Sequence, residues 1–107
     1  MKKSEQDAQS PEPKSELAAL RNEIEQVDHR ILSLVARRCR LAEEVGERKR
    51  AAGQATLDPA QEAVVVRRAA ARAREEAIDE EAVRQLFWCL IGLSHAQQRR
   101  RAAGEAP

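Results

Sequence analysis

Apolar residues recur along the first half of the chain at alternating intervals of three and four residues, the spacing of a helix that buries one face. These positions, called the seam below, are Leu17, Leu20, Ile24, Val27, Ile31, Leu34, Leu41 and Val45. Ser15 suits the N-cap before the seam, and Gly53 is a helix-stop signal after it. The pattern therefore predicts one helix that ends near Arg50.

This predicted helix is too long to be covered by the rest of its own chain. At about 1.5 Å per residue it measures roughly 54 Å, whereas a compact chain of this length has a radius of gyration of only about 13 Å. The remaining half of the 107 residues is too short to flank the whole seam. We therefore expect a second copy of the chain to cover it, and sustained three-four spacing is typical of helices that pair side by side.

Two further helices are predicted in the second half. Asp58 suits the N-cap of the first of them, with Pro59 at its first position and Gln61 where it can close a capping box. This helix is expected to end near Glu76, and Asp79 suits the N-cap of the next one. The expected inner faces are Ala63, Val66, Ala70 and Ala73, then Val83, Leu86, Phe87, Leu90, Ile91, Ser94 and Gln98. The predicted fold class is all-α, with three helices per chain and a very long first helix.

Composition agrees with long helices and limits the partners. Aromatic residues are 2% of the chain, with four Gly and four Pro, which favours helices over a sheet. Charged residues are 35% but the net charge is only +1, so no general attraction to nucleic acid or to an anionic membrane is expected. No apolar run is long enough to span a membrane.

The cysteines and histidines form no metal or redox motif. Cys39 and Cys89 lack the spacing of such a motif, so we expect free thiols in a cytoplasmic protein. His29 and His95 are expected at the protein surface.

The two ends differ from the middle. Residues 1–14 are polar and contain two prolines, so we expect a disordered arm without the apolar run of a secretory signal. Residues 102–107 are expected to form a flexible tail. The helical domain is therefore predicted over 15–101.

Arg38 interrupts the seam where the spacing requires an apolar residue between Leu34 and Leu41. Such an arginine either snorkels, with its head in water, or needs an anion, because a buried unpaired guanidinium is very costly. Lys49 lies eleven residues further on, on nearly the same face at about 16 Å, so the two cations can bracket a small dianion. Arg21 points about 100° away and can reach them only from an antiparallel partner helix.

Polar residues on the other two helices add hydrogen-bonding groups. Ser94 and Gln98 continue the inner face of the third helix one turn apart, where capping or a frayed end is the structural alternative. Asp58 and Glu62 stand at a helix start, which favours carboxylates through the helix dipole whether or not they bind a ligand. Together with the cations, these groups can hold a dicarboxylate in a reactive shape and stabilise charge that grows during reaction.

Residues 15–100 resemble the all-helical chorismate mutase family. The resemblance rests on LRNEIEQVDHRILSLVARRCRLAEEVGERK, DPAQE and LIGLSHAQQ, in the family's order and spacing. It implies an intertwined helical homodimer with two sites, each completed by an arginine of the other subunit. It also implies an isomerase of aromatic amino acid biosynthesis that rearranges chorismate to prephenate in a unimolecular Claisen step, with no cofactor.

The resemblance assigns roles to the cations and to the third helix. Arg38 and the partner subunit's Arg21 would pair with the two carboxylates of the substrate, helped by Ser94 and Lys49. Lys49 and Gln98 would donate to the ether oxygen, where negative charge builds as the carbon–oxygen bond breaks.

The resemblance implies that Asp58 and Glu62 hold the ring 4-hydroxyl of the substrate. One neighbouring position departs from the family pattern. Gln61 stands where the family has an arginine, which removes a cation at the end of the site that holds the 4-substituent. The substrate is then either chorismate, with weaker activity, or a relative with a 4-amino group such as 4-amino-4-deoxychorismate.

Two alternatives use the same fold. One alternative, from another functional class, is a non-catalytic helical dimer that acts as an interaction or regulatory module. A regulatory mutase-like domain fused to another protein is disfavoured because the chain ends soon after the third helix. Isochorismate pyruvate-lyase is a sister activity, against which the acids of DPAQE count.

Overall fold

The computed structural model describes residues 13–104, and these residues form three α-helices. They are α1 (Pro13–Ala51), α2 (Pro59–Glu75) and α3 (Glu80–Ala102). The predicted all-α fold with a very long first helix is confirmed, and no strand occurs within the described range. No helix between residues 13 and 104 is long and apolar enough to cross a membrane.

The start of α1 differs from the prediction. The helix begins at Pro13, so Ser15 lies inside its first turn rather than at the N-cap. Proline suits this position, because its missing N–H would have no helical partner and its φ angle is already helical. Most of the predicted arm (residues 1–12) and the last residues of the predicted tail (105–107) lie outside the described range.

The predicted stop of α1 at Gly53 is confirmed. Gly53 has a φ of 72°, in the left-handed region that glycine adopts without steric cost. The amides of Gly53 and Gln54 donate to the carbonyls of Arg50 (3.0 Å) and Lys49 (2.8 Å). This pair of bonds is the Schellman motif, which satisfies carbonyls at the end of a helix.

The chain divides into two compact units, one ending at Leu34 and the other beginning at Val35. The described part of the first unit is residues 13–34 of α1, and every residue there is exposed. The six seam residues from Leu17 to Leu34 keep 47% to 61% of their surface open to water. The described part of this unit therefore presents a continuous apolar face that is about half exposed to water.

The second unit has its core between α2 and α3. Val66, Ala70 and Ala73 of α2 are buried, and so is Ile91 of α3. All four of these residues are small or β-branched, and the alanines let the two helices approach closely. Four other apolar residues of the predicted inner faces are half-buried: Ala63, Val83, Phe87 and Leu90.

Leu86 was predicted to be buried and is 54% exposed. It lines an open cavity of about 660 Å³ between α2 and α3, together with Val65, Ile78 and Phe87. The helical period places Leu86 on the inner face, but α2 does not cover that part of the face.

Aspartates cap both later helices, as predicted. Asp58 Oδ1 accepts a hydrogen bond from the Gln61 amide (3.1 Å), and Asp79 Oδ2 accepts one from the Ala82 amide (2.7 Å). A side-chain acceptor at this position satisfies one of the amides that a helix start leaves unpaired.

The turn between α2 and α3 places a non-glycine residue in the left-handed region. Ala77 has a φ of 59°. Its amide donates to the carbonyl of Arg74 (3.3 Å), and the Ile78 amide donates to that of Ala73 (2.9 Å), so α2 ends in a second Schellman motif. Arg74 also donates two hydrogen bonds to Glu80 (2.8 and 3.0 Å), which lower the pKa of that carboxyl below its ordinary value.

We expect Ala77→Gly to stabilise the protein. The left-handed conformation costs an L-residue about 1–2 kcal/mol, whereas glycine loses only about 0.5–1 kcal/mol of extra backbone entropy on folding. The net gain of about 0.5–1 kcal/mol corresponds to a rise in Tm of about 2–8 °C for a small domain. Thermal unfolding at one fixed protein concentration measures it. Ala71→Gly, at an exposed position inside α2, is the control and should lower the Tm. A fall in Tm for both variants contradicts the argument.

Candidate functional site

Seven of the eight residues predicted for the site line one cavity of about 250 Å³ in the second compact unit. The cavity lies among the C-terminal part of α1, the start of α2 and the C-terminal half of α3. The seven are Arg38, Lys49, Asp58, Gln61, Glu62, Ser94 and Gln98. The eighth, Arg21, is an exposed residue of the first unit and is not among the lining residues.

One face of α1 forms the cationic wall of the cavity. Arg38, Ala42, Gly46 and Lys49 all line it, because they follow one another at spacings of four, four and three residues. The two residues between the cations are small, and Gly46 is buried. The helix thus presents two long cationic side chains on either side of an open floor.

Arg38 is held in place by a hydrogen bond to Ser94. Its Nη1 donates to Ser94 Oγ at 3.4 Å, and the Ser94 side chain is buried. Ser94 Oγ in turn approaches Sγ of the free thiol Cys39 at 3.8 Å. Within residues 13–104, Arg38 forms no ion pair with a carboxylate. A half-buried guanidinium in this state favours an anionic ligand, which supports the second of the two interpretations of Arg38.

Lys49 and Asp58 connect the end of α1 with the start of α2. The Lys49 Nζ lies 3.7 Å from Asp58 Oδ2, while Asp58 Oδ1 caps α2 through the Gln61 amide. Asp58 therefore has a structural role whether or not it also binds a ligand. The Lys49 side chain is 24% exposed, so its ammonium group lies at the wall of the cavity rather than in bulk solvent.

Gln98 brings an amide group from α3 towards α1. Its Oε1 lies 3.8 Å from the point that a Cβ on Gly46 would occupy, and both residues line the cavity. The side chain is half-buried. An uncharged amide here can donate a hydrogen bond into the space between the two cations of α1.

His95 was predicted at the surface, and this prediction is wrong. The side chain is 31% exposed, lines the cavity, and places Nε2 at 2.8 Å from Glu62 Oε2. The two residues are far apart in the chain, so only the packing of α2 against α3 brings them together. The one local signal was that His95 directly follows Ser94, a predicted site residue. Thr56 and Val65 also line the cavity and had no signal in the sequence.

The cavity has the electrostatics of a site for a small polar anion. Two cations come from α1, two carboxylates come from the start of α2, and a hydroxyl and an amide come from α3. No group of three or more His, Cys, Asp or Glu side chains between residues 13 and 104 is arranged to hold a metal ion. The arrangement can bind carboxylates with its cations and a hydroxyl or amino group with its acids.

Comparison with known proteins identifies the family. Residues 20–99 match the family described as chorismate mutase type II. A chorismate mutase of Methanocaldococcus jannaschii is 34% identical over 83 residues, which cover 78% of this chain and 84% of that protein. The matched range includes Arg21 and all seven predicted residues that line the cavity. The chain therefore belongs to the type II chorismate mutase family, as its sequence predicted, and is an isomerase.

Proposed function

We propose that this protein rearranges chorismate to prephenate in the cavity among α1, α2 and α3, without a cofactor. The observation that carries the proposal is the convergence of two cations from α1, two carboxylates from the start of α2 and the Gln98 amide from α3 on a single cavity of about 250 Å³. The name of the Methanocaldococcus relative supports the same reaction.

The carboxylates of the substrate bind to cations. Arg38 receives one of them, since its guanidinium has no carboxylate partner among the described residues and is oriented by the buried Ser94 hydroxyl. Lys49 lies on the same face of α1 and assists. The partner subunit's Arg21 receives the other carboxylate. Holding both carboxylates fixes the flexible side chain of the substrate over its ring, which supplies the orientation that a unimolecular rearrangement needs.

The chemical step breaks a carbon–oxygen bond while a carbon–carbon bond forms in the same molecule. Negative charge builds on the ether oxygen as the first bond lengthens. Lys49 and Gln98 donate to this oxygen, and donors already in place stabilise the transition state more than the ground state. No proton is transferred, so the site needs neither a general base nor a nucleophile.

The direct test is to incubate the purified protein with chorismate and to follow the loss of its absorbance and the formation of prephenate. Turnover above the uncatalysed rate is expected. A folded dimer without turnover favours the alternative of a non-catalytic interaction or regulatory module. Isochorismate is the companion substrate, and release of pyruvate from it would point to the lyase instead.

We further propose that residues 15–101 act as one domain in a cytoplasmic, intertwined homodimer. The half-exposed seam supports this assembly, because covering the remaining surface of each Leu, Ile or Val would stabilise it by about 1 kcal/mol per residue. The same assembly brings Arg21 of one subunit to the cavity of the other.

The homodimer is expected to be obligate. Sedimentation across a dilution series should show dimer or unfolded chain but no folded monomer, since a monomer leaves the seam in water. A compact and thermally stable monomer at low concentration would contradict the assembly and, with it, the role of Arg21.

The 4-substituent of the substrate can be a hydroxyl, as in chorismate, or an amino group. Asp58 and Glu62 line the cavity, and Gln61, which lies between them in the sequence and lines it too, carries no charge. Lys49 offsets part of the charge of Asp58, but position 61 adds no second cation, so the two acids suit a protonated 4-amino group at least as well as a hydroxyl. We therefore propose that 4-amino-4-deoxychorismate is accepted at least as well as chorismate.

Gln61→Arg should shift the preference towards chorismate. A cation beside the acids repels an amino cation, and unit charges at 4 Å interact by about 4 kcal/mol near a protein surface before desolvation is subtracted. A net of about 1.4 kcal/mol is a tenfold change in the ratio of the two kcat/KM values. Gln61→Met is the control, since it alters the side chain at the same length without adding charge. If the native protein strongly prefers chorismate and Gln61→Arg leaves the ratio unchanged, Gln61 serves the helix start alone.

A further inference from the structure

His95 and Glu62 form a close polar pair at the wall of the cavity, and the mechanism above makes no use of the histidine. The distance from His95 Nε2 to Glu62 Oε2 is 2.8 Å, within hydrogen-bond range. Both side chains are largely sheltered, at 31% and 24% exposed. A pair this sheltered is screened less by solvent than the ion pairs on the outer faces of α2 and α3.

The short distance joins Nε2 of His95, and not Nδ1, to the carboxylate. An ionised carboxylate can only accept hydrogen bonds, so the inference requires that Nε2 carries the hydrogen that faces Oε2. The bond occupies one oxygen of Glu62 and leaves Oε1 available for a ligand. Because a glutamate side chain has three rotatable bonds, this contact removes much of the freedom that Oε1 would otherwise have.

The other acid of the cavity is held differently. Asp58 has a short side chain that is fixed through both oxygens, by the Gln61 amide and by Lys49. Glu62 is longer and lies one turn into α2, beyond the reach of the capping bond. The side-chain contact that the structure gives Glu62 is the one with His95.

We propose that His95 is a positioning residue, which holds Glu62 so that its free oxygen faces the ring 4-substituent of the substrate and so contributes to specificity at that position. This inference rests on the proposed function, because the role of Glu62 towards the 4-substituent comes from there. His95 acts through Glu62 and does not itself touch the reacting atoms.

A double-mutant cycle between His95 and Glu62 tests the inference. His95→Val should lower kcat/KM for chorismate by about tenfold, an effect within the range of coupled residue pairs. His95→Gln keeps a donor but no charge, and should recover activity to within about threefold of the native protein. In a Glu62→Gln background, His95→Val should have little further effect. Equal losses in both backgrounds, or a His95→Gln variant as poor as His95→Val, overturn the proposal.

Ligand-free protein supplies a readout that does not depend on turnover. In ¹⁵N-histidine-labelled protein, the His95 imidazole should carry its proton on Nε2, and Glu62→Gln should shift its resonances. His29, which is exposed and lies 3.8 Å from Glu25, is the internal control and should not respond. A His95 signal that is indifferent to Glu62→Gln overturns the contact and the proposal together.

Failure of the proposed reaction remains distinguishable from failure of this inference. If the native protein does not convert chorismate, chorismate is a stable ligand. Its affinity is then measured by calorimetry for the four proteins of the cycle, which are the native protein, His95→Val, Glu62→Gln and the double variant. The same pattern of coupling in affinity then supports the positioning role. An absence of binding, or additive effects of the two substitutions, overturns it.

Discussion

Gln98→Glu is expected to lower kcat at neutral pH by about 10²–10³-fold, the usual cost of losing one donor to a developing oxyanion. An amide donates to the ether oxygen at any ordinary pH. A carboxylate can donate only when it is protonated, and when ionised it repels the negative charge that grows on the oxygen. The position makes the effect large, because Gln98 is half-buried and faces α1 at Gly46 inside the cavity.

The pH profile identifies the cause. Activity of the Gln98→Glu variant should rise as pH falls, because protonation restores both neutrality and a donor, whereas the native profile should change little over the same range. Gln85→Glu, an exposed position on α3, adds the same charge away from the cavity and should leave kcat near the native value. A flat profile that matches the native protein would remove Gln98 from the site.

Arg38→Leu is expected to abolish activity while sparing or improving folding. Leucine restores the apolar series of the seam, and replacing a buried charge by an apolar residue is often neutral or stabilising by about 1–4 kcal/mol. The arginine has no carboxylate partner between residues 13 and 104, so no carboxylate of the described chain is left uncompensated by its removal. A substrate carboxylate, by contrast, loses its main cation, and the loss of one partner from a sheltered pair costs about 3–5 kcal/mol, or 10²–10³-fold and more in kcat/KM.

Two measurements are needed for this variant. Urea unfolding should give a free energy of unfolding at or above that of the native protein, and the chorismate assay should give no turnover. Arg37→Leu removes the same charge from an exposed neighbour and should keep activity, which separates the position from the charge. A variant that loses stability yet keeps its turnover when folded would show that Arg38 belongs to the structure and not to the site.

A helix end could be predicted from the sequence where a single residue determines it. Asp58 and Asp79 cap the helices that follow them because a short side-chain acceptor reaches an amide three residues on. Gly53 ends α1 because its conformation is favourable for glycine alone. The start of α1 was missed by three residues, because an N-cap at Ser15 puts the first helical residue at Glu16 whereas the helix begins at Pro13. Both proline and serine favour helix starts, and the apolar pattern does not decide between them.

The helical period likewise determined which groups share a face. It places Arg38 and Lys49 on one side of α1, and Ser94 and Gln98 on one side of α3, and all four line the cavity. Within one helix, direction depends only on the number of residues between two positions. The helical period does not say which faces of different helices meet. The resemblance to the chorismate mutase family supplied the prediction that these faces form one site.

Contacts between helices were decided by the tertiary structure. Whether Leu86 is covered, and whether His95 faces solvent or Glu62, depends on how far α2 extends over α3 and at what rotation. Those quantities follow from the packing of Val66, Ala70 and Ile91 across the interface, a property of both surfaces together. The sequence of this protein therefore determined its helices and the faces they present, while the approach of α2 to α3 decided which side chains meet, because periodicity is local and packing is not.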